Sequence, residues 1–162
     1  MSGLFRRQLA NYVEYHRDPW NSLMHVFGIL FLFLAAILPL SLVQVSAFGV
    51  DTSLAVILSL PVLIYWLLLD TALGIAILAA AIVGSVGTTT MWSIFAALTI
   101  LGVTAQIVGH RVFERRQPSL VDNPSHLLLG PMFVMAKLFI ALGFRHDLAA
   151  IIAPTPSTVS AS

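Results

Sequence analysis

The sequence contains no cysteine, and only 9% of its 162 residues are charged. Without cysteine the chain forms no disulfide, zinc–thiolate site, iron–sulfur cluster or thioether-linked haem, so any metal is held by nitrogen and oxygen ligands. A soluble domain usually carries about a quarter charged residues. The polar side chains are therefore too few to cover a water-soluble domain of this length.

Apolar residues, in contrast, are abundant: they make up 59% of the chain, and the mean hydropathy is +0.96. These values indicate an integral membrane protein. The formal net charge of +1 is too small to indicate a nucleic-acid partner. The first apolar run is longer than the core of a typical signal peptide, so we expect no secretory signal, although residues 45–47 resemble a cleavage site.

Five apolar segments are candidates to cross or enter a bilayer, where a full crossing takes roughly 20 residues. They are residues 23–43, 54–69, 71–86, 91–113 and 127–144. We therefore predict an all-α fold, an integral membrane helical bundle with about five transmembrane or partly membrane-embedded helices. Residues 1–152 are expected to form a single membrane domain, and the Pro- and Ser-rich tail 153–162 to be disordered. Because Asp70 alone separates two segments, these form either a tight helical hairpin or an incomplete crossing.

Six of the eight Lys and Arg residues lie in two regions, one before the first apolar segment and one at the end of the fourth. The residues are Arg6, Arg7, Arg17, Arg111, Arg115 and Arg116. The three short connections between them contain no Lys or Arg. Four crossings would put both regions on one face, which the positive-inside rule makes cytoplasmic. We predict a bacterial inner membrane or endoplasmic reticulum protein with its N-terminus on the cytoplasmic side.

Under this topology four of the five histidines lie at the cytoplasmic ends of apolar segments. They are His16, His25, His110 and His126, whereas His146 is expected on the far side as a solvated loop residue. Imidazole is the commonest side-chain metal ligand near neutral pH. Pro19 should end the first helix near Asp18, and Asn21 is expected to cap the next one. This break would let His16 and His25 both point inward.

Helical spacing supplies partners for these rings. Tyr12 precedes His16 by four residues, and Gln106, His110 and Glu114 follow one another at i+4 positions. Gln106 or Glu114 could therefore hydrogen-bond the ligating ring or its neighbour, the support that metal-bound histidines usually have. Histidines and aromatic residues are equally typical of a membrane interface, so spacing alone leaves a metal site and an interfacial role open.

Two stretches, "YVEYHRDPWNSLMHVFGI" and "QIVGHRVFERRQPSLVDNP", resemble the 2-hydroxy-fatty-acid dioxygenase family. The matching positions are Tyr12, Tyr15, His16, Asn21, His25, Gly28, Gln106, Gly109, His110, Phe113, Glu114, Pro118, Asp122 and Asn123. They cover about a quarter of the chain, in the family's order and with an apolar spacer between them. Two positions depart from the pattern: Leu30 stands where the family often has Pro, and Lys137 where it often has an acidic residue.

The resemblance implies a membrane enzyme that uses Fe(II) and O2 for α-oxidation of long-chain 2-hydroxy fatty acids. Its products would be CO2 and a fatty acid one carbon shorter, a step in sphingolipid degradation. It also implies that His16, His25 and His110 are catalytic metal ligands, and the position of His126 adds a fourth ligand. We expect these rings to be supported by Tyr12, Asn21, Gln106, Glu114 and Asp122.

The implied reaction also suggests which residues bind the substrate and which partners the protein has. Arg111 or Arg17 is expected to pair with the substrate carboxylate, although each also serves as a topology charge. The acyl tail would lie between the spans, in contact with membrane lipids. The chain is compatible with an oligomer, and no nucleic-acid partner is expected.

Three other functions remain compatible with the residues. Two histidines could ligate a b-type haem in an electron carrier, which would show a Soret band. A non-enzymatic transporter or scaffold would hold no metal tightly. A zinc hydrolase would keep the fold and change the ion, which elemental analysis would reveal.

Overall fold

The structure, a computed structural model, describes residues 1–47, 49–85 and 91–152. Its elements in chain order are α1 (Gly3–Val13), α2 (Pro19–Leu42), β1 (Gln44–Ala47), β2 (Val50–Ser53), α3 (Leu54–Leu69), α4 (Thr71–Ser85), α5 (Met91–Val108) continued by a π-helix (Gly109–Glu114), α6 (Ser119–Asp122), α7 (His126–Ala141) and α8 (His146–Ile152). The predicted all-α class is confirmed. The structure also contains a short antiparallel hairpin, β1–β2, which the hydropathy pattern did not predict. The tail 153–162 lies outside the described residues.

Two of the described helices are long and apolar enough to cross a membrane by length and composition, Pro19–Leu42 and Trp92–Glu114. The pair α7 and α8 is bent by 119° and adds a third crossing only if it is one broken span. Helices α3 and α4 are shorter apolar helices. The expected count of about five crossings is thus not confirmed, although helices occupy all five apolar segments.

The two long helices, α2 and α5, pack directly against each other through glycines. A Cβ added at Gly102 would lie 2.7 Å from Leu32 Cγ and 3.1 Å from the carbonyl oxygen of Gly28. A Cβ added at Gly28 would lie 2.7 Å from Gln106 Nε2. Small residues let helices in a bilayer approach closely. Because the pair is antiparallel, the start of α2 comes to lie beside the end of α5.

The start of α2 is fixed by Asp18 and Pro19. The Asp18 carboxylate accepts hydrogen bonds from the backbone N–H groups of Trp20 and Asn21, at 2.8 and 2.9 Å. Pro19 occupies the first helical position, where its missing N–H costs nothing. The prediction that Asn21 caps this helix is wrong, because Asp18 already accepts from the free N–H groups. The Asn21 side chain is thereby released for other contacts.

Helix α1 packs with α7 and α8 to bury the main hydrophobic core. The largest fully buried apolar side chains are Phe5, Leu9, Leu69, Leu73, Leu129, Met132, Phe133 and Leu148. The apolar residues of α1 recur every three to four positions, which gives this helix one buried face. Burial of this face fixes the orientation of α1 and therefore the path of the chain from Met1 towards His16.

The single residue between α3 and α4, Asp70, is buried and paired. Both of its carboxylate oxygens accept hydrogen bonds from the Arg145 guanidinium, at 2.9 and 2.8 Å, and the N-terminal ammonium of Met1 lies 3.5 Å away. Helices α3 and α4 are therefore joined through one buried, ion-paired residue. Arg145 adopts a left-handed backbone conformation, φ +57°, at the bend between α7 and α8. The following His146 is exposed.

Candidate metal centre

Three histidines from distant parts of the chain meet in the interior. His16 follows α1, His25 lies in the second turn of α2, and His110 lies in the π-helix. They are 4%, 3% and 2% exposed, and each offers a nitrogen that lies within 4.8 Å of those of the other two. The ring centroids are 4.1 Å apart for His16 and His25, and 4.5 Å apart for His25 and His110.

Two of the rings are oriented by hydrogen bonds to their Nδ1 atoms. His16 Nδ1–H donates to the carbonyl oxygen of Tyr12 at 2.7 Å, and its ring stacks on the Tyr12 ring at 4.2 Å. His25 Nδ1–H donates to Asn21 Oδ1 at 3.1 Å. Metal-bound histidines characteristically donate their other ring N–H in this manner. Both rings are thereby left with Nε2 as the nitrogen available to a ligand.

Two buried nitrogens of this group have no hydrogen-bond partner among the described residues. They are His16 Nε2 and His110 Nδ1. An unsatisfied buried polar atom costs about 1–3 kcal/mol, so native proteins rarely keep one without a reason. Burial also lowers the pKa of His16 to about 3, which keeps that ring neutral near pH 7. Neutral imidazole is the form that binds a metal, so the donor set fits a divalent cation.

Glu114 supports the group from the end of the π-helix. Its Oε2 accepts hydrogen bonds from Asn21 Nδ2 at 2.9 Å and from the Asp18 N–H at 3.0 Å, and its Oε1 accepts from the Arg17 N–H at 3.2 Å. Asn21 in turn accepts from His25. Glu114 therefore reaches a histidine through Asn21 and binds the link between α1 and α2. The i→i+5 bonding of a π-helix, which is frequent at functional sites, breaks the predicted i+4 stripe.

Close approach at Gly109 makes this network possible. A Cβ at that position would collide with Asn21 Oδ1. The glycine beside His110 thus lets the Asn21 amide lie between the π-helix and His25.

His126 lies outside the group of three. It is 3% exposed, and its ring packs edge-on against the rings of Tyr12 and Tyr15, with centroids 5.3 and 5.9 Å apart. Neither of its ring nitrogens has a partner among the described residues. Asp122 accepts a hydrogen bond from the Tyr15 hydroxyl at 3.0 Å, and the Tyr15 ring in turn contacts His126.

A cavity of about 590 Å³ opens beside the histidines. Its polar lining includes His25, His110, His126, Gln106 and Arg111, and the rest is largely apolar side chains of α2, α3 and α7. Arg111 is the one formally charged residue among the described residues that line it.

The other predicted carboxylate partner, Arg17, has an exposed side chain and does not line this cavity. Its backbone N–H, rather than its guanidinium, takes part in the site, through Glu114. The structure thus separates the two arginines that the sequence treated as equivalent.

Two neighbours of the site were not predicted. The Phe133 ring packs against Tyr12 and His16, with centroids 5.1 and 5.6 Å away, and the Lys137 ammonium donates to the Ser22 hydroxyl. Phe133 stands within a continuous apolar run, so no local pattern distinguishes it. Lys137 did carry a signal, since an ionisable residue inside an apolar segment is a candidate functional residue.

The sequence is similar to known proteins over most of its length. The sequence model of the family described as "2-hydroxy-palmitic acid dioxygenase Mpo1-like" matches residues 3–142. A curated relative, 2-hydroxy-palmitic acid dioxygenase MPO1 of Saccharomyces cerevisiae, is 32% identical over 152 residues, which cover 90% of this chain and 85% of the relative. No solved structure matches significantly. The chain therefore belongs to the 2-hydroxy-palmitic acid dioxygenase Mpo1-like family.

Proposed function

We propose that this protein is an Fe(II)-dependent membrane dioxygenase that performs α-oxidation of long-chain 2-hydroxy fatty acids. The observation that carries the proposal is the group of three buried histidines, with partnerless nitrogens, beside a largely apolar cavity. In the balanced reaction, a 2-hydroxy acid and O2 give CO2, water and a fatty acid one carbon shorter. The yeast relative's name, a 2-hydroxy-palmitic acid dioxygenase, supports this substrate class.

His16, His25 and His110 would hold the ion. Three neutral imidazoles suit Fe(II) and leave coordination positions open for other ligands. When bound there, ferrous iron would supply the activation of O2 for oxidation at the substrate's α-carbon. The Tyr12 carbonyl and Asn21 fix the His16 and His25 rings, so the protein's contribution is a rigid donor set.

The cavity would receive the substrate with its carboxylate towards Arg111 and its tail along the apolar wall. An N–H···O pair of a guanidinium with a carboxylate is among the stronger hydrogen bonds. One cation in a largely apolar lining matches a ligand with one anionic end and a hydrocarbon chain. Because Arg17 does not line the cavity, Arg111 is the preferred partner.

The rings are packed too closely for the haem alternative. Two histidines that ligate one haem lie on opposite faces of the porphyrin, so the macrocycle stands between their rings. Here the ring pairs meet edge to face, at 70° between His16 and His25 and 82° between His25 and His110. A porphyrin does not fit between rings in such contact, so a small ion is the better occupant.

We place the site at the cytoplasmic boundary of a bacterial inner membrane or the endoplasmic reticulum, with a role in degrading hydroxylated sphingolipid chains. Supporting this, His25 and His110 lie near the ends of the two apolar helices where the arginines cluster. A lipid substrate presents its polar head at that depth.

Turnover provides the direct test. Protein purified in detergent and loaded anaerobically with Fe(II) should convert 2-hydroxypalmitic acid, on exposure to O2, to pentadecanoic acid and CO2 in equal amounts. Palmitic acid, which lacks the hydroxyl group, serves as the control and should be left unchanged. Tight binding of zinc without oxidation of the hydroxy acid would contradict the proposal and favour a hydrolase.

Glu114→Gln should lower iron affinity by about ten- to a hundredfold, the usual effect of losing a group that orients a ligand. Glu114 accepts three hydrogen bonds through its two oxygens, and a glutamine has only one oxygen to accept them. Titration with Fe(II) under anaerobic conditions measures the change. Glu14→Gln, on an exposed side chain, is the matched control, and equal affinities for the two variants would exclude this role for Glu114.

A further inference from the structure

We propose that His126 and Gln106 bind the polar head of the 2-hydroxy acid, so that His126 serves the substrate and not the metal. This inference rests on the proposed function and refines its active site. It revises the fourth-ligand role that the position of His126 in the sequence had indicated.

His126 combines burial with unsatisfied hydrogen-bonding capacity. It is 3% exposed, and both of its ring nitrogens are buried without a partner among the described residues. It lines the cavity, yet it does not belong to the three residues whose ligand atoms lie within 4.8 Å of one another. The edge-on contacts with Tyr12 and Tyr15 hold its ring in place. Its free nitrogens are therefore available to a molecule in the cavity.

Gln106, like His126, has unsatisfied hydrogen-bonding capacity. Its Nε2 is buried without a partner among the described residues, and the residue lines the same cavity. Gly28 lets this amide approach α2 closely, because a Cβ there would lie 2.7 Å from Nε2. The predicted bond from Gln106 to a ligating ring is not present in the structure. Its amide donors are left for the cavity.

The two side chains match a 2-hydroxy acid by hydrogen-bond type. A neutral imidazole offers one N–H donor and one acceptor nitrogen, and the amide of glutamine offers two further donors. A 2-hydroxy carboxylate offers anionic acceptors and one O–H donor on adjacent carbons. His126 can thus donate to the carboxylate and accept from the hydroxyl, while Gln106 and Arg111 donate to the carboxylate.

The experiment compares His126→Phe, His126→Gln and Gln106→Leu with the wild-type protein. Bound iron is measured by elemental analysis of the purified proteins, and binding of 2-hydroxypalmitic acid by equilibrium titration in detergent without O2. We expect His126→Phe and Gln106→Leu to keep wild-type iron content and to bind the acid about tenfold or more weakly, the effect of losing a hydrogen bond to a charged group. His126→Gln restores a donor and an acceptor and should keep both iron and affinity. His146→Phe, on an exposed histidine, is the control.

The outcomes separate the two hypotheses. Loss of iron in His126→Gln would make His126 a metal ligand and overturn the inference while leaving the proposed function intact. Wild-type affinity for the acid in His126→Phe would overturn it too. If the wild-type protein binds neither iron nor 2-hydroxypalmitic acid, the proposed function itself fails, and the inference fails with it.

Discussion

Purified protein carrying His25→Ala is expected to contain no bound iron, although it still inserts into the membrane. The substitution removes one of three imidazoles and leaves the Asn21 amide without its histidine partner. Two remaining imidazoles hold a divalent cation far more weakly than a set of three. His110→Ala should have the same effect, because His110 contributes the third ring from the other end of the chain. Elemental analysis after purification measures the loss.

His146→Ala is the matched control for this prediction. His146 is a histidine of the same chain, exposed at the start of α8 and outside the group of three. Its replacement should leave the iron content unchanged. Full iron retention in either His25→Ala or His110→Ala would show that the three rings do not share an ion.

The largest effect on stability is expected from Arg145→Ala, which should lower the free energy of unfolding by about 3–5 kcal/mol. The Asp70 carboxylate is 2% exposed and would lose both of its hydrogen bonds from Arg145, leaving a buried charge poorly compensated. The Leu73 N–H, 3.2 Å from Oδ1, and the Met1 ammonium, 3.5 Å from Oδ2, compensate only in part. Thermal unfolding in detergent, followed by circular dichroism, measures the change.

Asp147→Ala tests whether the effect comes from the buried partner. Arg145 also pairs with Asp147, whose side chain is 50% exposed, and such exposed pairs contribute about 0–1 kcal/mol. The control variant should therefore unfold close to the wild-type temperature. Equal losses in the two variants would contradict the role given to Asp70.

The same pair makes stability depend on pH in a defined direction. Burial by itself raises the pKa of Asp70. The hydrogen bonds from Arg145 and the Leu73 N–H, together with the charges of Arg145 and the N-terminus, outweigh burial and hold the pKa below its ordinary 3.8. This contribution to stability is therefore present above the ordinary pKa and is lost as the pH falls through the lower, folded-state pKa. In Arg145→Ala the burial effect remains without its main compensation, so the carboxyl should take up its proton at a higher pH.

The sequence predicted the parts of the site that depend on neighbouring residues. Pro19 marked the start of α2, although α1 already ends at Val13 and not near Asp18 as predicted. The four-residue spacing of Tyr12 and His16 placed their rings together, as the structure has them, even though His16 lies beyond the end of α1. Hydropathy located the helices because a bilayer demands long apolar runs. These patterns involve residues that are close together in the chain, so a single sequence is enough to recognise them.

Other parts depend on tertiary contacts that no local spacing encodes. The π-helix changes the register after Gly109, which turns Glu114 towards Asn21 and the α1–α2 link. The pairing of Asp70 with Arg145 joins residues 75 positions apart. Apolar character likewise does not predict the 119° bend between α7 and α8.

The bond between Glu114 and Asn21 joins residues 93 positions apart. A growing chain of which only about the first hundred residues have been synthesised contains His16 and His25. It lacks His110 and the Glu114 carboxylate that holds Asn21 in place. Contacts of such long range form late during folding. Ferrous ion should therefore load only after synthesis has passed residue 114, and premature truncation before that point should yield an inserted fragment that cannot retain the ion.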